Sequence, residues 1–526
     1  MVSQTSSLAV GDASSKTAQA DGHSYRSILK SSALIGASSL VNVVFGIART
    51  KAMALLLGPS SFGLMGAYMA IVDLARTIAQ MGVNASGVRQ MAQSAATGDD
   101  NRTARTSLIL KRVAVGTGCL GALAVLASSH VISEVTFGSP NRWSDIALLS
   151  LAVFFGVVAG GQTALIQGMR RIADLSRLAI LGAFLGTVCT ITLVYFLREG
   201  GLAASLIASA AISAIAGWYF SRRIKLPPAT ATLADTTAEC AALFKLGAAF
   251  VAGDLLMQVS AYLVRIMILR DSGFAAAGFY QAAWTIGGLY VGFVLQSMST
   301  DFYPRLAGCI QDKKAANLLV NQQATVSILL AGPGVMATLT FAPIVVHLLY
   351  SARFDGAIEP LRWICFGMAL RTITWPIGFI VAASGRQVIY FVAELAWTIV
   401  NVWLTWIFVS RAGATGAGFA FFASYIFHAV MLVPVVRYLT GFSWTGSNMR
   451  LGTVYVGACS LMVAAPRLLP AGYVLALGAV LCLALTLQSA YRLAAMSEVR
   501  PLPRFVTPLL KLSSCVRGAL ANTKAT

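Results

Sequence analysis

Apolar runs of about twenty or more residues recur from residue 28 to residue 491, separated by short polar connectors. A backbone crossing hydrocarbon has no water to bond, so each run must satisfy its own N–H and C=O groups, and a helix does so within one segment. The runs predict about fourteen transmembrane helices, at 28–57, 61–82, 106–129, 144–168, 175–197, 201–221, 242–269, 275–300, 318–349, 361–383, 387–409, 415–437, 450–468 and 471–491. The fold class expected is therefore all-α, a polytopic membrane protein. Composition agrees: 57% of the 526 residues are hydrophobic and 11% charged, which excludes a soluble domain.

The net charge of +20 raises nucleic acid as a partner, but the basic residues form no single patch. They fall between spans, and on one side. About 27 Lys and Arg lie on the face that holds both ends, against about seven opposite, among them Arg142, Arg198, Arg270 and Arg353. That asymmetry predicts both termini in the cytoplasm. Outward loops are at most roughly 15 residues, too short to carry an external catalytic domain. The eight cysteines show no ligand spacing and the four histidines are scattered, so no metal site, cofactor or catalytic group is expected.

Against this apolar background two stripes of polar residues stand out. Ser38, Asn42 and Arg49 lie four and seven residues apart; Asp254, Gln258 and Arg265 repeat the spacing 216 positions later. Steps of four, seven and eleven return to nearly the same helix face. An arginine inside a span is costly and so marks function. Two at matched positions predict one cationic cavity between two related lobes. The similarity extends further: Gly58 and Gly63 answer Gly273 and Gly278, and Arg89 answers Arg305. Internal repeats characterise transporters, whose substrate site lies between the halves.

The run "FGIARTKAMALLLGPSSFGLMGAY", the following "GVRQMAQSAATGD" and the later "FDGAIEPLRWICFGMALRTITWPIGFIVAASGRQVIYFVAELAW" resemble Wzx-type oligosaccharide-lipid flippases. These form the polysaccharide transporter branch of the multidrug/oligosaccharidyl-lipid/polysaccharide exporter superfamily. The likeness covers most of residues 28–440. It implies two pseudo-symmetric six-helix lobes around a central cavity plus two C-terminal helices, in a bacterial inner membrane. The implied substrate is an oligosaccharide on an undecaprenyl-pyrophosphate carrier, turned from the cytoplasmic to the periplasmic leaflet. Membrane lipids, a polysaccharide polymerase and chain-length machinery are the implied partners, with no nucleic acid.

The organisation expected is a disordered tail (1–25), a first lobe (26–222), a linker (223–241), a second lobe (242–440), two further spans (441–491) and a basic tail (492–526). Candidate substrate-binding residues are Arg49, Arg265, Arg371, Arg76, Asn42 and Gln258. Guanidinium presents a planar fork that pairs phosphate oxygens, which suits a pyrophosphate. Asp254, Asp73 and Glu394 are candidates for ion coupling or for ion pairs, Asp73 with Arg76 and Glu394 with Arg371 or Arg386. Arg49 and Arg265 could instead snorkel to the interface. Lys51, about 200° round the helix from Arg49, points elsewhere. Two other functions compete. A cation-coupled drug exporter would favour carboxylates and aromatic walls over a cationic lining. A membrane glycan polymerase or ligase would need a catalytic constellation that is not visible.

Overall fold

The computed structural model describes residues 6–230 and 233–497, so most of the expected basic tail lies outside the described residues. Every major element described is a helix. In order they are α1 (Ser6–Gln80), α2 (Val83–Ala96), α3 (Asp100–Ala127), α4 (Ser129–Phe137), α5 (Trp143–Gly168), α6 (Ile172–Leu197), α7 (Gly201–Arg222), α8 (Leu233–Cys309), α9 (Lys313–Thr340), α10 (Ala342–Leu349), α11 (Ile358–Ala383), α12 (Gln387–Thr440), α13 (Gly446–Leu468) and α14 (Ala471–Ser497). α1 begins at Ser6, within the segment expected to be disordered.

Among the described residues, ten helical stretches are long and apolar enough to cross a membrane. Four of them, Ser38–Gln80, Ile172–Arg222, Val251–Ser299 and Gln387–Thr440, run 43 to 54 residues, about twice the crossing length. Each of the four breaks near its middle, at Gly58, at 198–200, at Gly273 and at Ala412–Gly413. Counting each of these twice gives the fourteen spans predicted. The breaks are reversals. Arg265 donates to Gln281 Oε1 at 2.9 Å across Gly273, where a straight helix would separate them by about 24 Å. Gly416 likewise lies against the Phe408 carbonyl across Gly413.

By packing, the chain divides into two units. The first comprises Met1–Leu56, Val72–Ser133 and Pro140–Val251; the second comprises Leu57–Ile71, Glu134–Ser139 and Ala252–Thr526. Within the first, the opening arm of α1 runs alongside α6: Phe45 stacks edgewise on Phe184 at 5.5 Å, and Arg198 donates to the Leu56 carbonyl at 3.3 Å. The end of α1 runs alongside α5, with Arg76 on Gly156 and Gln80 on Gly160. The second unit repeats both pairings. The opening arm of α8 follows the first half of α12, through Gly253 on Tyr390 and Asn401 bonded to Ser260 at 3.0 Å. The second arm of α8 follows α11, through Gly287 on Ile364. The sequence repeat is thus a repeat of packing.

Its fixed points are glycines. Gly58 (φ 78°, ψ −175°) and Gly273 (φ 85°, ψ 178°) adopt one backbone conformation that side chains exclude. Five residues on, Gly63 and Gly278 meet face to face in the second unit. A Cβ at Gly63 would stand 2.1 Å from the Phe274 carbonyl oxygen; one at Gly278 would stand 1.9 Å from that of Pro59. Since 59 and 274 are themselves repeat mates, the contact is reciprocal, as across a local two-fold axis.

Two elements differ from expectation. The span expected over 318–349 ends at Thr340, and α10 starts afresh because Pro343 enters its first turn without an N–H to donate. α2 was outside the expected spans because it is amphipathic rather than apolar. It buries Val83 and Met91 against Ile109, Leu110, Val113, Ala164 and Leu165, and its other side is polar. α13 is docked by a buried polar clamp: Asn448 Nδ2 donates to the Asn321 carbonyl at 2.8 Å, and the Thr445 N–H to Asn321 Oδ1 at 3.0 Å.

Candidate functional site

The stripe in the first unit lies on the opening arm of α1. Ser38 is buried. Asn42 presents a shielded Oδ1 with no hydrogen-bond partner among the described residues. Arg49 is half-buried, and among the described residues no hydrogen bond or ion pair holds its guanidinium. An uncompensated cation in the middle of a membrane protein is expensive and is kept where an anion will meet it.

In the second unit the same stripe lies on the opening arm of α8. Asp254 is exposed and Gln258 half-buried. Arg265 differs from its counterpart because it is pinned. Its Nε donates to Gln281 Oε1 at 2.9 Å and its Nη1 to the Ala261 carbonyl at 2.9 Å. Thr285 Oγ1 in turn donates to the Gln281 carbonyl at 2.8 Å. Gln281 occupies space left by Gly66, where an added Cβ would come within 2.9 Å of Oε1. Gly66 is the repeat mate of Gln281. The first repeat therefore lacks, at the matching place, the side chain that fixes the arginine in the second repeat. Gln281 is absent from the sequence-based candidates, yet its position carries a signal: it lies eight residues after the Gly273 reversal, as Arg265 lies eight before.

Arg371 on α11 belongs to a third group, in the second unit. Its charge reaches Glu394, Tyr425 and His428 on α12. Glu394 and Asp254 both act on Tyr390, so the two acidic candidates and Arg371 form one electrostatic neighbourhood. The rings of Trp397, Tyr425 and His428 stand 5.6 to 6.3 Å apart around it. Trp397 Nε1 and His428 Nδ1 are shielded and lack partners among the described residues. The expected pairing of Glu394 with Arg371 is thus one of proximity, with no direct hydrogen bond among those described.

Arg76 lies apart from these groups on the second arm of α1, in the first unit. Its Nη2 stands 3.1 Å from Asp73 Oδ1, an ion pair one helical turn long. Among the described residues no cluster of His, Cys, Asp or Glu could hold a metal ion.

Relatives of known name place this architecture. Lipid III flippase of Escherichia coli (strain K12) is 24% identical over 413 residues, 76% of this chain and 96% of that protein. Lipopolysaccharide biosynthesis protein WzxC of the same organism is 23% identical over 415 residues, 76% of this chain and 80% of its own length. In fold, the chain is similar to lipid II flippase MurJ in an inward closed conformation, with a TM-score of 0.63, 15% identity, and 88% and 99% of the two chains covered. It is also similar to an inward-facing multidrug resistance MATE family transporter of the MOP superfamily, with a TM-score of 0.58, 15% identity, and 76% and 96% covered. Residues 52–359 match the family described as "Polysaccharide biosynthesis protein". The match takes in the Gly58 and Gly273 reversals, the Gly63–Gly278 crossing and Arg265 with Gln281, more than half of the chain; this protein belongs to that family.

Proposed function

We propose that the chain is a flippase for an undecaprenyl-pyrophosphate-linked oligosaccharide, moved from the cytoplasmic to the periplasmic leaflet for assembly of O-antigen, capsule or exopolysaccharide. The observation that carries this reading is the pair of matched intramembrane arginines, one free and one pinned. A diphosphate is the anion that two or three guanidinium groups can take from water, because each fork replaces hydration with charge-assisted hydrogen bonds. Membership of a polysaccharide biosynthesis family and relatives named as lipid III flippase and WzxC support the choice of substrate class.

Each unit supplies its own contact. Arg49 follows the headgroup as a mobile cation; Arg265, held by Gln281, offers its remaining donors in fixed orientation. Arg371 provides a third contact, and its neighbourhood with Glu394 and Asp254 is the place where a proton or cation would exchange for the substrate's charge. Asn42 and Gln258 meet polar groups of the headgroup or first sugar. The Asp73–Arg76 pair is structural. The membrane faces open alternately, and both termini are cytoplasmic, a placement that the distribution of Lys and Arg supports.

The test is replacement of Arg265 or Arg371 by Ala, with insertion checked by fractionation. Lipid-linked glycan should accumulate in the cytoplasmic leaflet. Wild-type glycan export from both variants would remove the arginines from the mechanism.

A further inference from the structure

The first unit holds a groove beside the first polar stripe. It is a cavity of about 510 Å3 walled by Phe45 of α1 and by Ile180, Leu181 and Phe184 of α6. At one end it is capped by Arg177, near the start of α6, and Arg223, just past the end of α7. Leu181 and Phe184 are exposed, an apolar surface open to an apolar chain.

The cap carries excess positive charge. Buried Asp174 is shared between Arg171 (2.7 Å) and Arg177 (3.3 Å). Arg171 also donates to the Arg223 carbonyl at 2.9 Å, tying the two helix ends together. The Arg223 guanidinium lies over the Tyr219 ring at 4.5 Å, at the rim of the groove. Arg222 stacks on Trp218 alongside, so Asp174 pairs with two of the four arginines at this end, Arg171 and Arg177, and Arg222 and Arg223 lie on aromatic rings. Such a groove fits an amphiphile with an apolar chain and an anionic head.

Phe45 decides between a bulk acidic lipid and the transported one. Positions 38, 42, 45 and 49 share one face of α1, so the groove wall is part of the Arg49 stripe. Phe184 lies about 10 Å along α6 from Arg177, and Arg49 about 6 Å beyond Phe45 on the helix that runs parallel to it. A head released by Arg177 and Arg223 thus finds its next cation about 16 Å further in, near mid-membrane.

We propose that this groove is the loading site for the polyprenyl carrier: the isoprenoid chain lies between α1 and α6 while its phosphate rests on Arg177 and Arg223, before passing to Arg49. The proposal rests on the flippase reading and adds a first binding step to it.

The full chain in phosphatidylcholine nanodiscs, probed by native mass spectrometry with undecaprenyl phosphate and with dioleoyl phosphatidic acid, tests it. Wild type should hold undecaprenyl phosphate at least about tenfold more tightly than phosphatidic acid. Both the Arg177→Gln/Arg223→Gln double variant, which removes charge at exposed positions, and Leu181→Trp, which fills the groove, should weaken undecaprenyl phosphate binding about tenfold or more. Equal retention of phosphatidic acid, or unchanged binding in both groove variants, overturns the proposal. If the groove variants bind as wild type while Arg49→Ala still blocks translocation, the groove falls and the flippase reading stands. If wild type holds neither lipid and moves no lipid-linked glycan, both fall.

Discussion

Two arginines at equivalent places in a repeat have unequal surroundings, and the difference comes down to one residue in each repeat. Gln281 bonds Arg265, whereas its mate in the repeat is Gly66, whose missing side chain also makes room for Gln281. Gly66→Ala should push Gln281 off Arg265 and lower transport about as much as Gln281→Ala does. The double variant should lose little more than either single one, since both break the same contact; additive losses in a translocation assay would contradict this coupling. The stripes were legible because an arginine in an apolar run needs a reason. Gln281 was not, because an amide in an apolar run is unremarkable until the reversal at Gly273 places it opposite Arg265. Nor was the Trp397–Tyr425–His428 group around Arg371, which depends on how α11 packs against α12.

Among the elements, the reversals at Gly58 and Gly273 make each long helix into a hairpin. Gly273→Ala should cost about 1–3 kcal/mol, since its φ and ψ fall in a region open almost only to glycine. Gly278→Ala should cost more, because the clash is with the Pro59 carbonyl and no flexible side chain can yield. Thermal unfolding in detergent should rank Gly278→Ala below Gly273→Ala, and both below wild type. Asn448→Ala removes both bonds that Asn448 Nδ2 donates to Asn321 between α13 and α9, while the Thr445 N–H stays on Asn321 Oδ1, at about 1–3 kcal/mol. Equal melting temperatures for Asn448→Ala and wild type would show the clamp to be dispensable. Spans were readable from the run lengths because hydrocarbon leaves the backbone one solution. Boundaries governed by caps were not: Asp99 starts α3 at Asp100, six residues before the apolar run at 106.

For the whole molecule, the repeat in sequence, in backbone conformation at Gly58 and Gly273, and in helix pairing describes one hairpin-based module used twice. Duplication followed by divergence at single positions accounts for repeats alike in packing and unlike in charge: Asp254 where the first repeat has Ser38, Gln281 where the first repeat has Gly66. The central claim is that intramembrane arginines carry a diphosphate-linked glycan across the bilayer. It is tested most directly by reconstituting the full chain in liposomes with a fluorescent polyprenyl-diphosphate oligosaccharide and following its loss of access to an external quencher. Wild type should move the lipid, and the Arg49→Ala/Arg265→Ala/Arg371→Ala variant, reconstituted to the same level, should not. Equal rates for the two proteins would contradict the claim.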